Sequence, residues 1–453
     1  MAIQARKVSP WDWLRVQVLV TAPALLWGLV APNRPLVPLL VRWNLAGRAA
    51  RLLAELRRKY GCEHLWVRFP LRRTLLVLEP AGADEVLGSD ANAADPDLKR
   101  RAVARLVPGA LTISRGDEWK DRRRFNEGVL ASGAPHPHRD AFHDLAARAA
   151  AALAAAPSGI LRWADFETFG RRVAQQVVFG PDAPEPALAV HLARLAARAN
   201  LVVLPPPAHD HAAFYDRIDA HLDRHRRAPP SSGSQRAPPP GCLVHDSARR
   251  LAEGSAAAAT RVPSQIGFWL FVLTDALALH VARTLALIAA HDGAQQRVRE
   301  ELGTAAVLTA TGVDELGFLD ACLTEQLRLW TPVPLLLRRA ERPFTLRGGI
   351  AVRTEEQILI HAGFLHRDPA RLGARADRFA PEAVAGAPAP LYVFSAGRQA
   401  CAGQALARFL LKSALAALLA RHRFELLAPA LDPGRIPHGC NHFGIALRAR
   451  PVR

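Results

Sequence analysis

The sequence predicts a mainly α-helical protein with a small β region. Most of the 453 residues repeat their apolar side chains with the period of an amphipathic or buried helix. Strand-like runs are few and short. The predicted helices include 45–60, 141–156, 166–179, 187–203 and 214–227, and the predicted strands are 65–69, 74–78, 344–346, 357–361 and 445–447.

The apolar segment 263–291 predicts the longest helix. It is apolar on nearly all sides, interrupted by Asp275, His280 and Arg283, and a helix of this kind crosses a protein core. Asp275 lies near its middle, where an isolated carboxylate needs a functional explanation. The Ser- and Pro-rich segment 229–241 predicts a surface loop.

The chain is strongly basic, with 59 Lys and Arg residues against 41 Asp and Glu residues and a formal net charge of +18. Such an excess can serve nucleic acid or an acidic membrane surface. Only five of the basic residues are Lys, however, the sequence holds only three Tyr, and no basic stripe is interleaved with aromatic residues. We therefore expect no nucleic-acid partner, whereas an acidic protein partner stays open.

The five cysteines are far apart and include no CxxC pair. This spacing argues against a zinc site and against the disulfide framework of a secreted protein. We expect a reducing compartment, and therefore a cytoplasmic protein.

The first 44 residues form an apolar lead-in to the main domain, 45–453. Residues 16–31 are almost entirely apolar, but the run is shorter than the roughly 20 residues that span a bilayer, and Pro23 and Gly28 interrupt it. We expect a helix packed on the body of the protein. A peripheral membrane contact through residues 11–44 and a cleaved signal peptide are the alternatives. The membrane alternative rests on tryptophans of the kind found at membrane interfaces, at positions 11, 13, 27 and 43.

The sharpest functional signal is the segment 394–407, FSAGRQACAGQALA. Gly397 permits a tight turn because it has no side chain. Cys401 precedes a predicted apolar helix, 403–419, whose dipole and free N–H groups stabilise a thiolate. Gly403 lets the backbone approach a flat ligand closely, and Phe394 can pack under that ligand and shield the sulfur from water. A lone buried cysteine would not require this spacing.

This segment resembles the haem-binding loop of the cytochrome P-450 family, whose pattern is FxxGxRxCxG. The resemblance implies that Cys401 is the only protein ligand to the iron of a haem b group (iron protoporphyrin IX), with Phe394, Gly397 and Gly403 beside the cofactor. Gln399 stands at the family's Arg position, so Arg398 becomes the candidate for a contact with a haem propionate.

A second motif begins at Glu325 and Arg328, which share one helix face at i and i+3. The stretch 325–340, EQLRLWTPVPLLLRRA, resembles the family's ExxR helix, Pro-Pro turn and following strand. The resemblance implies that this ion pair is structural and that Arg338 binds a haem propionate through its planar guanidinium. Ala383 occupies the position of the family's further arginine, so we expect the ion pair to lack a third member.

Two further stretches agree with the resemblance. Residues 366–382 resemble the family's meander. Residues 116–124 resemble its WxxxR helix, which implies that Trp119 and Arg123 reach a haem propionate. Together the matches run from 45 to 447 in the family's order and predict a cytochrome P-450-like fold.

The long helix departs from the family's AGxDT pattern. Aligned on the helix end, residues 272–276 (VLTDA) lie over that pattern, and only Asp275 matches. The family's Gly leaves a groove for dioxygen and its Thr hydroxyl holds a proton-delivering water, whereas Leu273 fills the groove in this chain and Ala276 offers no hydroxyl. Asp275 is therefore the catalytic candidate for relaying protons, and desolvation in an apolar helix would favour its protonated form. His280 is the alternative, although the simpler interpretation is a core histidine.

The resemblance implies a haem-thiolate monooxygenase, an oxidoreductase that inserts one oxygen atom from dioxygen into a small apolar organic substrate. The sequence contains no flavin or iron–sulfur segment, so we expect a separate electron donor such as a ferredoxin or flavoprotein reductase. Its expected docking face is basic: Lys120, Arg122, Arg124, Arg408 and Lys412. The expected substrate pocket is lined by 100–113, 201–214, 266–280 and 332–337.

Two other functions stay open. A peroxide-driven or non-oxygenating haem-thiolate enzyme, of the peroxygenase, isomerase or dehydratase type, is favoured by the missing hydroxyl in the long helix. A non-catalytic haem-binding protein is the third class. The fold alone does not separate these functions.

Overall fold

The computed structural model describes residues 5–28, 30–69, 71–93, 97–181, 186–200, 208–227, 241–304, 308–384 and 391–452. The predicted loop 229–241 lies almost wholly outside the described residues. The end of the predicted helix 187–203 and the first half of the expected pocket range 201–214 also lie outside them.

Helices dominate the described chain, as the periodicity predicts. Leu45–Tyr60 has the predicted bounds, and the other predicted helices are displaced by a few residues at one or both ends. The helices are α1 (Pro10–Val16), α2 (Ala22–Trp27), α3 (Val37–Arg42), α4 (Leu45–Tyr60), α5 (Pro80–Gly88), α6 (Asp97–Leu106), α7 (Gly116–Val129), α8 (Arg139–Ala154), α9 (Trp163–Phe179), α10 (Pro186–Ala199), α11 (Ala208–Arg227), α12 (Leu243–Ala252), α13 (Val262–Ala289), α14 (Asp292–Thr304), α15 (Ala310–Glu315), α16 (Gly317–Leu329), α17 (Ala362–Leu365), α18 (Pro369–Leu372) and α19 (Gln404–Arg421).

The strands are short and form three sheets. In chain order they are β1 (Arg6–Lys7), β2 (His64–Arg68), β3 (Arg73–Val77), β4 (Asn92–Ala93), β5 (Ile160–Arg162), β6 (Leu335–Ala340), β7 (Phe344–Leu346), β8 (Ile350–Val352), β9 (Gln357–His361), β10 (His422–Ala428) and β11 (Ala446–Pro451). The largest sheet has the order β1-β2-β3-β9-β6-β4, a second has the order β10-β11-β5, and β7 pairs with β8.

The chain divides into two compact units. Unit 1 comprises Met1–Arg100, Thr324–Cys401 and Leu431–Asn441. It contains the six-stranded sheet, in which β9 pairs with β3 on one side and β6 on the other, so that all five of its residues are buried. Apolar side chains of α4 pack into the same core as the strands. This helix ends at Gly61, whose φ of +59° suits glycine at a helix C-terminus.

Unit 2 comprises Arg101–Leu323, Ala402–Ala430 and His442–Arg453. The long helix α13 packs along α9 in its interior, and most of its residues are buried. The two helices approach closely at Gly170, because a Cβ atom there would lie 2.4 Å from the backbone oxygen of Thr274. The helix predicted to cross the core does so.

The lead-in residues pack on unit 1. Residues 10–27 form one continuous rod, α1 followed by a π-helical turn, Gln17–Thr21, and then α2. Asp12 is fully buried and accepts hydrogen bonds from Ser9 Oγ at 2.9 Å and from Lys59 Nζ and Tyr60 OH at 2.7 Å each. These bonds join the rod to α4.

One helical stretch in the described ranges is long and apolar enough to cross a membrane by length and composition. It is Ala258–Ala289, which contains α13. Of its most apolar stretch of 18 residues, 67% is buried inside the protein. Burial of this extent is typical of a core helix.

Candidate functional site

Cys401 lies at the end of a tight loop that begins at Tyr392. The N–H of Ser395 donates to the Tyr392 oxygen at 2.9 Å, and Gly397–Gln399 form a 3-10 turn. The N–H of Cys401 then donates to the Phe394 oxygen at 2.8 Å, which closes the loop. Helix α19 begins shortly afterwards at Gln404, so the cysteine precedes an apolar helix as predicted.

Gly397 is required by this loop for two reasons. Its φ is +63°, a left-handed conformation that side chains disfavour. A Cβ atom at this position would also lie 2.1 Å from the backbone oxygen of Leu87 in α5. The prediction that Gly397 permits a tight turn is therefore confirmed by the geometry. Ser395 also has a positive φ, +58°, so the loop holds backbone strain next to the cysteine.

Cys401 is exposed, whereas the other four cysteines of the sequence are buried. Burial raises the pKa of the Cys242 thiol to about 11, which keeps that group neutral. Among the five cysteines, Cys401 is therefore the one accessible to a group outside the chain.

Arg338 reaches the cysteine loop from β6. Its Nη2 donates to Ser395 Oγ at 2.6 Å and its Nη1 to the Leu337 oxygen at 3.0 Å. The residue is only 4% exposed, and burial lowers the pKa of its guanidinium to about 10. The described residues place no carboxylate beside it, although a buried cation is stable only when its charge is matched. An anionic group bound near Ser395 would match it.

Gln399 and Arg398 both contact β4. Gln399 Nε2 donates to the Asn92 oxygen at 2.8 Å. Arg398 is exposed, and its Nη2 lies 3.3 Å from both the Asn92 oxygen and Glu341 Oε2. Because Glu341 already balances the charge of Arg398, the buried Arg338 has the stronger electrostatic need for an anion. A role for Arg398 in cofactor binding stays a prediction.

The roles predicted for Phe394 and Gly403 also stay predictions. Phe394 is half-buried. A Cβ atom at Gly403 would make only an ordinary contact, 3.6 Å from Leu130 Cδ1. Packing within the chain does not require glycine at 403, so its presence has to be explained by something other than packing.

Glu325 and Arg328 form a buried bidentate ion pair in α16. Both bonds, Nε to Oε1 and Nη2 to Oε2, measure 2.8 Å, and neither residue is more than 2% exposed. The remaining Arg328 donors bond to backbone oxygens of His366, Arg375, Ala376 and Arg378. The motif therefore fixes residues 366–378 onto the helix, which is the structural role that the resemblance implies.

The expectation that this ion pair lacks a third member is wrong. Arg375 Nη2 lies 3.2 Å from Glu325 Oε1, and the N–H of Ala380 donates to Glu325 Oε2 at 3.2 Å. The arginine comes from eight positions before Ala383, where the family pattern led us to look. Aligning the sequence with the family pattern does not reveal this contact, because the 3-10 turn Gly373–Asp377 brings the Arg375 side chain next to α16.

His366 is a structural residue whose position sequence reasoning did not identify individually. Its Nε2 accepts a hydrogen bond from the N–H of Tyr392 at 2.8 Å, and its Nδ1 lies 2.7 Å from Thr331 Oγ1. Burial, with a smaller effect of the Arg328 charge, lowers the pKa of His366 to about 3. The neutral imidazole thus ties the end of α16 to the start of the cysteine loop. The signal available in the sequence was its place in the meander motif.

Helix α7 of unit 2 carries Trp119 and Arg123, both half-buried. Arg123 Nε lies 2.6 Å from Glu127 Oε1, within the same helix. The helix is held to α13 by a buried chain in which Trp269 Nε1 donates to Asn126 Oδ1 at 2.6 Å and Asn126 Nδ2 donates to Gln265 Oε1 at 3.0 Å. The propionate contacts predicted for Trp119 and Arg123 stay predictions.

The five-residue basic docking face is wrong in part. Arg122 is buried and bonds to Ser114 Oγ and the Ala259 oxygen at 2.5 and 3.0 Å. Lys412 is buried too, and Arg408 bonds to Asp320 at 2.5 Å. Helical spacing alone does not show which side of α7 and α19 faces the core. The exposed members of the set are Lys120 and Arg124.

Asp275 is exposed, so the burial expected for it is wrong. Val272, Asp275, Ala276 and Leu279 recur at i, i+3, i+4 and i+7 on one exposed or half-buried face of α13, while Leu273, Leu277 and His280 are buried. The Thr274 hydroxyl donates to the Leu270 oxygen at 2.7 Å, within the helix. His280 is a core histidine, as the simpler interpretation had it.

Comparison with known proteins gives consistent matches. Residues 274–449 match the family model of cytochrome P-450. A family 4A cytochrome P-450 from Sus scrofa is 28% identical over 218 residues, which cover 45% of this chain and 42% of that protein. An isoflavone 2'-hydroxylase from Glycyrrhiza echinata is 31% identical over 160 residues, which cover 34% of this chain and 32% of that protein. The curated relatives are thus matched over less than half of their own length.

Solved structures show the same fold over most of the chain. A retinoic acid-bound cyanobacterial cytochrome P-450 aligns with a TM-score of 0.70 and 16% identity, covering 88% of this chain and 94% of that one. A zebrafish cytochrome P-450 with abiraterone aligns with a TM-score of 0.70 and 18% identity, covering 89% and 100%. The family-model match, the sequence relatives and the cysteine loop agree with this fold, and together they support a member of the cytochrome P-450 family.

The match to the cytochrome P-450 family model implies a haem cofactor, and the residues of unit 1 fit one. The loop presents an accessible thiol at Cys401, the ligand type that haem-thiolate proteins use. The buried Arg338, bonded only to neutral groups among the described residues, supplies a cation for a carboxylate such as a haem propionate. The two groups belong to the same unit and are joined through Ser395.

Proposed function

We propose that the protein is a haem-thiolate monooxygenase that inserts one oxygen atom from dioxygen into a small apolar organic substrate. The observation that carries this proposal is the exposed Cys401 at the end of a strained loop. Ser395 of the same loop accepts a hydrogen bond from Arg338, a buried cation with no carboxylate beside it among the described residues. A haem b bound through a cysteine thiolate supplies activation of dioxygen, because the thiolate favours cleavage of the O–O bond.

In this proposal Cys401 binds the iron through its deprotonated sulfur, and Arg338 binds a propionate. Gly397 and the Phe394–Cys401 backbone bond fix the position of the sulfur. Phe394 shields the sulfur from water. Trp119, Arg123 and Arg398 are assigned to further cofactor contacts by the family resemblance, and Gly403 to close approach of the cofactor.

Asp275 is assigned to proton transfer. It is the one residue with a carboxylate side chain in the sequence of α13. Because this side chain is exposed, it can take up protons from solvent. Ala276, one residue further along, has no hydroxyl, and the Thr274 hydroxyl is engaged by the Leu270 oxygen. The carboxylate would act without the alcohol that the family pattern places beside it.

The absent hydroxyl favours a second candidate function, a peroxide-driven or non-oxygenating haem-thiolate enzyme. When dioxygen is the oxidant, protons have to be delivered to the site, and the family pattern does this with an alcohol, whereas added peroxide already carries the protons and electrons. The two functions share Cys401 and Arg338 and differ in what α13 must do.

The experiment that separates them compares product formed per NAD(P)H consumed, using a surrogate electron donor, with product formed from added hydrogen peroxide. Efficient use of NAD(P)H supports the monooxygenase; poor use together with brisk peroxide turnover supports the second function. The Ala276→Thr variant should raise product per NAD(P)H, and the control Thr274→Val should leave it unchanged. Tight coupling that Ala276→Thr worsens would contradict the assignment of this helix.

The proposal also includes an electron donor and a cellular location. A separate ferredoxin or flavoprotein reductase would supply electrons, with Lys120 and Arg124 as the exposed members of the predicted docking face. The protein would be cytoplasmic, with a peripheral membrane contact through residues 11–44.

A further inference from the structure

A surface cleft in unit 2 lies between α8, α9 and α10. It holds about 730 Å³, the size of site that takes a small organic molecule. Its lining residues lie between positions 148 and 193, outside the ranges expected for the substrate pocket, and none of them is among the residues predicted to contact the cofactor. The function proposed above therefore gives this cleft no role.

One face of α9 forms the polar wall of the cleft. Its lining residues recur at i, i+3, i+4, i+7 and i+8, which is the spacing of a single helix face. They are Thr168, Arg171, Arg172, Gln175 and Gln176. All five side chains can donate hydrogen bonds, and none carries a negative charge. Gly170, where α9 meets α13, lies on the opposite side of the helix, so the polar wall is turned away from α13.

Three arginines line the cleft, and no acidic residue of the described chain lines it with them. Arg171 and Arg172 come from α9, and Arg148 comes from α8, which packs along α9. Arg171 Nη2 donates to Thr168 Oγ1 at 3.3 Å, which is a neutral partner. No carboxylate of the described residues forms an ion pair with any of the three arginines. A cleft lined by charges of one sign concentrates ions of the opposite sign, so this wall favours an anion.

The α10 wall of the cleft is apolar and is made of short side chains. Its lining residues also recur at helical spacing and are Pro186, Ala189, Val190 and Ala193. Leu188, Leu192 and Leu195 are buried on another face of α10, so the α10 wall is not part of the core of unit 2. Val190 is 47% exposed, and covering it with an apolar group would be favourable. The ligand that fits both walls is therefore an anion with an apolar part.

We infer that this cleft, which we call the arginine cleft (Arg148, Arg171, Arg172 and the α10 wall), binds an organic phosphate monoester. Guanidinium groups bind phosphate oxygens through paired, charge-assisted hydrogen bonds. A phosphate monoester carries about two negative charges at neutral pH, which match three arginines better than the single charge of a carboxylate does. The apolar part of the ligand covers the α10 wall. This inference does not depend on cofactor binding, so each can fail without the other.

The test is isothermal titration calorimetry of the full chain with 1-naphthyl phosphate, whose rings supply the apolar part. Inorganic phosphate should bind about tenfold more weakly or worse, because it cannot cover the α10 wall. Arg171→Gln/Arg172→Gln should weaken binding of 1-naphthyl phosphate about tenfold or more, since charge-assisted hydrogen bonds are lost. The matched control Arg198→Gln/Arg224→Gln removes two exposed arginines of unit 2 outside the cleft and should bind normally. Equal thermal unfolding of both variants shows that folding is not the cause.

A second pair of variants tests the α10 wall. Ala193→Asp places a carboxylate in the cleft, where it repels the phosphate, and should abolish binding of 1-naphthyl phosphate. Ala420→Asp adds the same charge at an exposed alanine of α19, outside the cleft, and should have no effect.

Four results would overturn the inference. They are inorganic phosphate bound as tightly as 1-naphthyl phosphate, equal losses in the two arginine variants, equal losses in the two aspartate variants, and no binding of 1-naphthyl phosphate to the unmodified chain. If the last result came with a dimer that Arg171→Gln/Arg172→Gln converts to a monomer, the cleft would be assigned to a second copy of the chain.

Discussion

Arg338 Nη2 donates to Ser395 Oγ at 2.6 Å, so a buried cation of the sheet is bonded directly to the loop that carries Cys401. Burial lowers the pKa of this guanidinium to about 10, but the group still keeps its charge at neutral pH. A charged, desolvated donor beside the cysteine loop suits an anion. In the proposed function, this relationship would tie the position of the thiol to the binding of a haem propionate.

Arg338→Lys should weaken haem retention because lysine keeps the charge but cannot span Ser395 and a propionate with one planar group. Loss of one charge-assisted hydrogen bond, worth about 1.5–3 kcal/mol, predicts haem dissociation faster by about tenfold or more. The rate can be measured by transfer to apomyoglobin. The neighbouring Arg339 is also buried but bonds to Glu355, so Arg339→Lys is the matched control and should leave the rate unchanged. Equal rates in all three proteins would remove Arg338 from the site.

The Glu325 cluster should respond unequally to removal of its two arginines. Arg328→Ala removes both 2.8 Å bonds to the buried Glu325 carboxylate, which keeps only its 3.2 Å contacts with Arg375 and Ala380. It also breaks four bonds to the meander backbone, so the cost should be about 3–5 kcal/mol. Arg375 is partly exposed and makes a longer contact, so Arg375→Ala should cost about 1 kcal/mol. Denaturant midpoints of the two variants measure the difference. A loss in Arg375→Ala as large as that in Arg328→Ala would show that the third member is as important as the pair.

His366 makes the stability of the protein depend on pH in the acid range. Burial lowers its pKa from the usual 6.5 to about 3, so the unfolded chain binds a proton below pH 6.5 that the folded chain refuses. The stabilisation is fully present above pH 6.5 and is lost as the pH falls towards 3, by up to about 1.4 kcal/mol per pH unit. Buried His361, with a pKa lowered to about 4, adds to the same slope.

His366→Gln should flatten this slope by about 1.4 kcal/mol per unit between pH 6 and 4.5. Unfolding free energies from denaturant titrations at a series of pH values give the slope. The exposed His209→Gln variant is the control and should keep the original slope. If His366→Gln keeps it too, the imidazole is not held neutral in the folded protein.

The sequence predicted the elements and motifs whose signals are local. The bounds of α4, β7 and β9, the tight turn at Gly397 and the pairing of Glu325 with Arg328 each depend on residues close together in the chain. The backbone conformation at Gly397 and the apolar period of α4 need no information from distant residues.

The errors arose where distant parts of the chain decide the outcome. Which face of α13 is exposed depends on α9, which meets it closely at Gly170, so an apolar period could not show that Asp275 is exposed. The burial of Arg122 likewise depends on its contacts with Ser114 and Ala259. Arg375 reaches Glu325 through a turn in an irregular segment, which has no period to read.

The most direct test of the account is the spectrum of the reduced, carbon monoxide-bound protein after replacement of Cys401. The unmodified protein should show the red-shifted Soret band that marks a thiolate-ligated haem. Cys401→Ser should lose this band even where haem is retained, while Cys62→Ser, at a buried cysteine outside the loop, should keep it. A red-shifted band that persists in Cys401→Ser would contradict the assignment of Cys401 as the iron ligand.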